Sequence, residues 1–486
     1  MSFSSPFVKG ESSPKRREGD LKEKHVKIKI MNINPSIFKS YDIRGIYPEQ
    51  LNEEGAYLIG RGFGVLMQKE NPGKTLNIGV SCDMRISSPA LKENLIKGLL
   101  EQGINVTDMG MCSTPVFYFG IGYHKFDGGI QVTASHNPPK YNGFKLVRAN
   151  SVPMTIDSGI KDICNIITNG EIVDIETKGI LSQKENVLQE MIKSEKEEWK
   201  IDFAKIKPFK IVVDASNSIG ALDYDEIFKD LPVELIRLNW EIDGSMPIHE
   251  ANPTVDANLI QIKQAVIDNK ADFGIMPDGD ADRVYFIDNE GNMVRQEILI
   301  GLICQEILKE YPGTPIAFDI RPGQIMIDLT IAAGGHPSFT KAGNPYLKLN
   351  MATQGAYFGA ELSGHNFFKF SYGIFEAPAV LIWKFMQLLT QENKTVSELV
   401  APHKIYFHSG EINIEVENVA ETLEKVKQKY AEFNPSLIDG VSVATPDWWF
   451  SLRGSNTEPV MRVNLEARSL EIMEKYRDEL LSIIKS

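Results

Sequence analysis

The chain is predicted to be an α/β protein of several units that ends in a smaller α+β unit, on three observations. From about residue 38 to 400, apolar runs bounded by turns alternate with helical patterns. That rhythm implies βαβ units and mostly parallel sheets. Past 403 the pattern changes: EINIEVE (411–417) and VMRVNLEA (460–467) alternate strictly, beside two helical segments. Strict alternation marks an antiparallel sheet with one face in solvent. Finally, 486 residues exceed one ordinary core, and the size prior is roughly three or four units of about 100–150 residues.

The elements follow in order. LNIGVSC (76–82) is a buried-strand candidate, followed by helical SSPALKENLIKGLLEQG and then the strand INVTDMG (104–110). GGIQVTA (128–134) is the next strand and runs straight into a polar loop. KIVVDAS (210–216), VELIRLN (233–239), ADFGIMP (271–277) and TPIAFDI (314–320) are further strands, with NLIQIKQAVIDN and ILIGLICQEILKEY as helices between them. The C-terminal helices are AETLEKVKQKYAEF (420–433) and SLEIMEKYRDELLSII (469–484). Junctions are expected near 180, 290 and 403, giving units 34–180, 181–290, 291–402 and 403–486. The first 33 residues lack apolar periodicity, and the first 30 carry eight Lys/Arg against four Asp/Glu. They read as a disordered extension without the continuous apolar core of a secretory signal.

Formal charge is −13, which argues against a general nucleic-acid or anionic-membrane binder but leaves room for a local basic cleft. The four cysteines, Cys82, Cys112, Cys164 and Cys304, are scattered without a CxxC pair. They read as reduced thiols of a cytoplasmic protein. No apolar run approaches membrane-spanning length.

Four segments carry chemistry. QVTASHNPPKYNGFK (131–145) sets Ser135 among short polar residues before a proline turn, which suits an exposed hydroxyl, with Lys145 ten residues on as a proton donor or acceptor. DGDADR (278–283) follows a buried strand, where open α/β sheets place their sites. Asp278, Asp280 and Asp282 converging there repel one another unless a cation sits between them, and oxygen ligands select a hard ion such as Mg²⁺. An EF-hand is excluded because Arg283 stands at its sixth position and Asn289 at its twelfth. GAELSGHNFFK (359–369) sets Glu361, Ser363 and His365 at alternate positions, facing one way if the loop is extended. Such a set reads vicinal hydroxyls, with His365 as a proton carrier. RGSNTEP (453–459) joins the fork of Arg453 to Ser455, Asn456 and Thr457, an anion cradle. Arg44 and Arg85 are weaker candidates. Two decoys fail: GRGFGV (60–65) lacks the third glycine of a dinucleotide fingerprint and reads as helix packing, and PGKT (72–75) lacks the first glycine of a P-loop. Together the four segments form a kit for phosphoryl transfer, which needs mainly positioning and charge neutralisation.

TASHNP, DGDADR, ELSGH and RGSNTEP, in this order, with YDIRG near the start, resemble the four signatures of the alpha-D-phosphohexomutase family, in its bacterial phosphomannomutase/phosphoglucomutase branch. The resemblance covers roughly residues 36–486. It implies three similar mixed/parallel-sheet α/β domains and a smaller α+β C-terminal domain around a central cleft. It implies that Ser135 carries a phosphoserine, and that Asp278, Asp280 and Asp282 hold Mg²⁺ with one of its oxygens. By the same resemblance Lys145, His365 and Arg44 surround the transferring group as acid/base and charge stabilisers. Tyr41, Arg283 and Lys341 lie against the substrate, Glu361 and Ser363 bind the 3- and 4-hydroxyls, and Arg453, Ser455, Asn456 and Thr457 grip the phosphate not in transfer. The reaction implied is mannose 6-phosphate to mannose 1-phosphate, with glucose phosphates as co-substrates, through hexose 1,6-bisphosphate as intermediate and activator. Glucosamine phosphates are the alternative substrates. The partner implied is a small phosphosugar, with no nucleic acid or membrane, for a monomer or weak homodimer. Two rival activities remain: an aspartyl-phosphate phosphotransferase with Asp278 as nucleophile, and a non-catalytic sugar-phosphate binder. Three positions depart from the family pattern: Ala281 for glycine, Asn344-Pro345 for His-Ser in a loop that proline is expected to reshape, and Gly454 in the cradle, expected to loosen it.

Overall fold

A computed structural model describes residues 33–321, 323–454 and 460–485. The N-terminal extension up to residue 32 and the cradle residues Ser455, Asn456 and Thr457 lie outside the described residues. Ile33, counted with the extension in the sequence reading, is buried in the first core beside Ile37 and Phe38.

Four sheets organise the chain. The first runs in the order Ile43–Ile46, Tyr141–Arg148, Gly128–Val132, Asn77–Cys82, Asn105–Met111, Leu181–Gln183. Its last four strands are parallel, Tyr141–Arg148 runs against them, and Ile43–Ile46 at the edge is antiparallel to Tyr141–Arg148. The strand Leu181–Gln183 carries this sheet just past the junction expected at 180. The second sheet orders Val284–Ile287, Phe273–Pro277, Phe209–Asp214 and Val233–Leu238. The third orders His336–Thr340, Pro315–Asp319, Phe358–Ala360, Asn366–Phe370 and Gly373–Glu376. The fourth is wholly antiparallel, built on Val441–Ala444, Trp448–Gly454 and Val460–Ala467. The α/β units are thus mixed, and each ends in an antiparallel hairpin that the apolar periodicity did not mark.

The continuous apolar runs of Gly128–Val132 and Phe273–Pro277 are buried along their whole length, because these strands lie inside their sheets. GRGFGV falls in the helix Glu53–Glu70. A side chain at Gly60 would meet the Leu95 carbonyl at 2.3 Å, and one at Gly98 the Tyr57 carbonyl at 2.2 Å. These glycines let this helix cross Ser88–Glu101 with backbones in contact. One core runs through the first three units, taking in Phe117 and Phe119, Phe273 and Phe286, Phe368 and Trp383. The fourth packs separately around Phe450, Leu452, Met461, Val463 and Leu480. All four cysteines are free, and no helix among the described residues is long and apolar enough to cross a membrane.

The shared core also traps acids. Glu195, in the helix Val187–Glu198, is fully buried with neither oxygen hydrogen-bonded. Burial pushes its neighbour Asp223 up to about 7, against a hydrogen bond from Ser113. A carboxyl whose folded value is raised contributes stability below its unfolded range near 4 and loses it as pH rises towards 7. Asp223→Asn removes that loss, so the variant gains on the wild type between pH 4 and pH 7, by on the order of 4 kcal/mol at most. Urea midpoints at pH 4.5 and 8 measure it, and a difference that does not change with pH excludes the assignment.

Candidate active site

The three α/β units make the same turn at the same place. A buried parallel strand, Gly128–Val132, Phe273–Pro277 or Phe358–Ala360, ends in a polar loop and returns as an antiparallel strand. The loops are 133–140, 278–283 and 361–365, so the three separate sequence motifs occupy equivalent positions and meet. Ser135 Oγ donates to Asp278 Oδ2 at 3.0 Å, and Arg283 and His365 pair as an isolated antiparallel bridge.

Ser135 is buried, not exposed as its turn chemistry suggests. The cause is tertiary: the 278–283 loop lies on it so closely that a side chain at Gly279 would meet the Ser135 carbonyl at 2.4 Å. Ser135 holds φ 51, a left-handed conformation that costs a non-glycine residue about 1 kcal/mol. Arg85, only a weak candidate by sequence, is what over-determines that strain. Its fully buried guanidinium pairs with Asp83 and donates to the carbonyls of Ser135, Asn137, Pro138 and Tyr141 at 2.7–3.0 Å. Arg85→Lys cannot serve four carbonyls and a carboxylate. It is expected to destabilise by about 3 kcal/mol and, by letting the loop drift, to slow turnover about 100-fold; unchanged urea midpoint and rate would exclude this role.

The three aspartates are all fully buried, with one oxygen of each within 4.8 Å of the others. Lys145, on the strand Tyr141–Arg148, reaches Asp280 Oδ2 at 2.7 Å and Asp282 Oδ2 at 2.6 Å. Burial opposes its charge, but these carboxylates hold it well above the usual lysine range. Burial also opposes the Asp280 charge, yet Lys145 and Thr114 keep that carboxyl below its usual range. Asp278 goes the other way, up to about 8, through burial and the two like charges beside it. Asp280 Oδ1 and Asp282 Oδ1 are buried without a hydrogen-bond donor. Orphaned carboxylate oxygens beside a carboxyl strained by like charge fit a hard divalent cation.

A cationic arc faces the carboxylates. Arg44 donates to Asn137 Oδ1 at 2.7 Å and Asp42 at 2.5 Å. Burial, Arg283 and Arg44 push the His136 imidazole down to about 2, so it stays neutral. Tyr41, Arg44, Ser135, His136, Lys145, Arg283, Asn344 and His365 line one open pocket. His365 receives Arg283 Nε on Nε2 at 3.1 Å, while its Nδ1 lies 3.3 Å from Glu376 and 3.5 Å from Asp282. The loop before it is not extended. Gly364 at φ 94 and the Ala360–Asn366 pairing close a tight turn, which keeps the Ser363–Glu361 hydrogen bond at 2.9 Å but sends His365 to the side of Arg283 and Asp282.

Glu361 also accepts Gly343 N at 3.1 Å, and Tyr41 OH donates to the Ala342 carbonyl. Burial, Tyr346 and nearby acids raise Tyr41 to about 12, so it is a neutral donor. Lys341 lies 6.0 Å from the Tyr346 ring centre. Pro345 does not distort this segment, because it falls in the first turn of the helix Asn344–Gln354, where no amide donor is needed. Arg453, at the end of Trp448–Gly454, is pushed down by burial and by Arg321, a crowding of guanidiniums that an anion relieves. Gly454 is required here, since a side chain would meet Val419 at 2.6 Å. Ala281 takes φ 60, so its methyl group is accommodated at the strain glycine would avoid. Thr114, Asn344 and Glu376 were missed in the sequence. Only Glu376, a carboxylate inside the apolar run GIFEAPAV, carried a signal, since a buried charge demands partners.

Sequence models of the phosphoglucomutase/phosphomannomutase family match in chain order: alpha/beta/alpha domain I over residues 35–173, domain II over 189–291, domain III over 296–406 and the C-terminal domain over 411–483. The chain is 36% identical to a phosphomannomutase of Vibrio cholerae over 92% of its own length and 98% of that protein's. It is 35% identical to a phosphomannomutase of Methanocaldococcus jannaschii, with coverage of 92% and 97%. A crystal structure of a phosphoglucomutase/phosphomannomutase family protein from Burkholderia thailandensis superposes with a TM-score of 0.85 at 28% identity, covering 93% of this chain and 98% of that one. Four domains in order, with three hairpin loops converging on a serine and three aspartates, leave one conclusion: the chain belongs to the phosphoglucomutase/phosphomannomutase family and is a phosphohexose mutase.

Proposed function

We propose that the enzyme interconverts mannose 6-phosphate and mannose 1-phosphate, and the corresponding glucose phosphates, through phosphoserine at Ser135 and a hexose 1,6-bisphosphate. The observation that carries this is the 3.0 Å contact between Ser135 Oγ and Asp278, residues 143 positions apart. A serine strained into a left-handed turn and aimed at an acidic cluster has little structural purpose. Asp278, Asp280 and Asp282 would hold Mg²⁺ with an oxygen on Ser135, and the bound ion would draw charge from the transferring phosphoryl group.

The remaining roles fall to side chains. The Oγ–P bond of Ser135 breaks as a sugar hydroxyl forms the new P–O bond. His365 takes that hydroxyl's proton, and Lys145, held cationic by Asp280 and Asp282, donates to the departing serine oxygen. Arg44 and Arg283 face the equatorial phosphoryl oxygens. Glu361 and Ser363, already hydrogen-bonded as a pair, present acceptors to vicinal hydroxyls, while Arg453 lies where the second phosphate is gripped. The bisphosphate then turns over and returns its other phosphate to Ser135. One cradle must accept either phosphate, which favours contacts to hydroxyls shared by both sugars over contacts at C2.

Peptide mapping of the purified protein is expected to place phosphate on Ser135, stable to neutral hydroxylamine. A coupled assay with Mg²⁺ and bisphosphate primer is expected to show turnover of mannose and glucose 1-phosphates with kcat/KM values less than about a thousandfold apart, or ~4 kcal/mol. Hydroxylamine-labile phosphate on Asp278, or no turnover of either sugar, overturns the proposal.

A further inference from the structure

Glu376 ends the strand Gly373–Glu376 opposite Phe367, two residues beyond His365. Alternate residues of a strand share a face, so His365, Phe367 and Glu376 stand on the same side of the third sheet. Glu376 is fully buried, and so is its neighbour Lys348. Its Oε1 lies 3.3 Å from His365 Nδ1 and accepts from Asn344 Nδ2, and its Oε2 lies 3.5 Å from Lys348 Nζ. Lys348 in turn sits 3.8 Å above the Tyr118 ring. Asp282, His365 and Glu376 have the spacing of a metal trio. The Lys348 ammonium on Glu376 and the Arg283 guanidinium on His365 already supply the positive charge there, which disfavours a second cation.

We infer that Glu376 is a positioning residue for the mutase reaction: with Asn344 and Lys348 beside its carboxylate, it draws the Nδ1–H of His365 towards itself and fixes that tautomer, so that Nε2, which accepts from Arg283 Nε in this structure, takes the proton once Arg283 turns to the phosphoryl group. The inference rests on the reading of His365 as the base. Asp282 Oδ1 approaches Nδ1 from 3.5 Å but belongs to the metal cluster, so Glu376 is the partner free to serve the histidine throughout. A buried carboxylate of this kind orients an imidazole and fixes its tautomer, and removing such an outer partner typically costs 10–100-fold. Glu376→Gln breaks the arrangement without changing its volume. The amide nitrogen must face either the Lys348 ammonium or the Nδ1–H.

The test uses the full chain with Mg²⁺ and bisphosphate primer. Glu376→Gln and Glu376→Ala are expected to lower kcat 10–100-fold with KM within twofold. ¹⁵N spectra of the histidine rings, with the His365 signals identified by their loss in His365→Gln, are expected to show an Nδ1–H tautomer in the wild type that is depopulated in both variants. A purely structural role would not move that signal, and if Glu376→Ala fails to fold, the isosteric Glu376→Gln decides. Wild-type kcat in Glu376→Gln, or unchanged His365 nitrogen signals, overturns the inference while leaving the proposed function standing if His365→Gln is inactive. A His365→Gln variant with full activity removes both this inference and the base assigned above.

Discussion

Ser135→Ala is expected to lower kcat by about 10⁴ or more, because it removes the oxygen proposed to accept and return the phosphoryl group. The folded state is expected to survive. Alanine at φ 51 keeps a strain serine already bears, and the loss of one hydrogen bond to Asp278 costs about 1 kcal/mol. Arg85 still holds the loop through its four carbonyl contacts, so the cleft keeps its shape. Sugar-phosphate binding, measured by calorimetry, is therefore expected within a few-fold of wild type, while phosphate disappears from the mapped peptide. An alanine variant that still turns over substrate would show that the phosphoryl group resides elsewhere.

Asp280→Asn carries the second largest expected effect. Asp280 accepts from Lys145 at 2.7 Å and from Thr114 at 2.6 Å, and its other oxygen is one of the two without a donor. The amide removes one charge from the proposed cation site and weakens the hold on Lys145 at the same time. A fall in kcat of about 10³ is expected, with an increase in the Mg²⁺ concentration needed for half-maximal rate. Lys145 keeps Asp282 as its partner, so the loss of stability stays below the roughly 3–5 kcal/mol of an orphaned buried charge. Thermal unfolding and a Mg²⁺ titration of the rate check both halves. A near-normal rate at low Mg²⁺ would remove Asp280 from the site.

The periodicity marked the parallel strands, since Gly128–Val132 and Phe273–Pro277 are buried runs whose composition follows from lying inside a sheet. It missed the return strands. Tyr141–Arg148 carries polar Asn142 and Lys145 because the first holds Ser87 and Ser88 at a helix start and the second reaches Asp280 and Asp282 in another unit. The burial of Ser135 was illegible for the same reason, because the atoms that cover it come from Gly279 in another unit. Arg85 looked like a surface charge, and only the folded loop shows four carbonyls converging on it. Pro345 and Gly454 looked like disruptions, yet a helix start and Val419 make each the fitting residue.

By itself the sequence determined which groups are available: a serine in a polar turn, three carboxylates after a buried strand, a turn of Glu361, Ser363 and His365 and an arginine loop, in an order specific enough to name the family. Local spacing can do this because the first three motifs are each a single hairpin turn, whose chemistry is written in adjacent residues. Only the tertiary structure decided that Ser135 meets Asp278, that Lys145 spans Asp280 and Asp282, and that His365 turns towards Glu376. The first two contacts join residues from different sheets, and the packing of one shared apolar core through three units, rather than any local preference, brings them within hydrogen-bond reach; the third spans paired strands of one sheet.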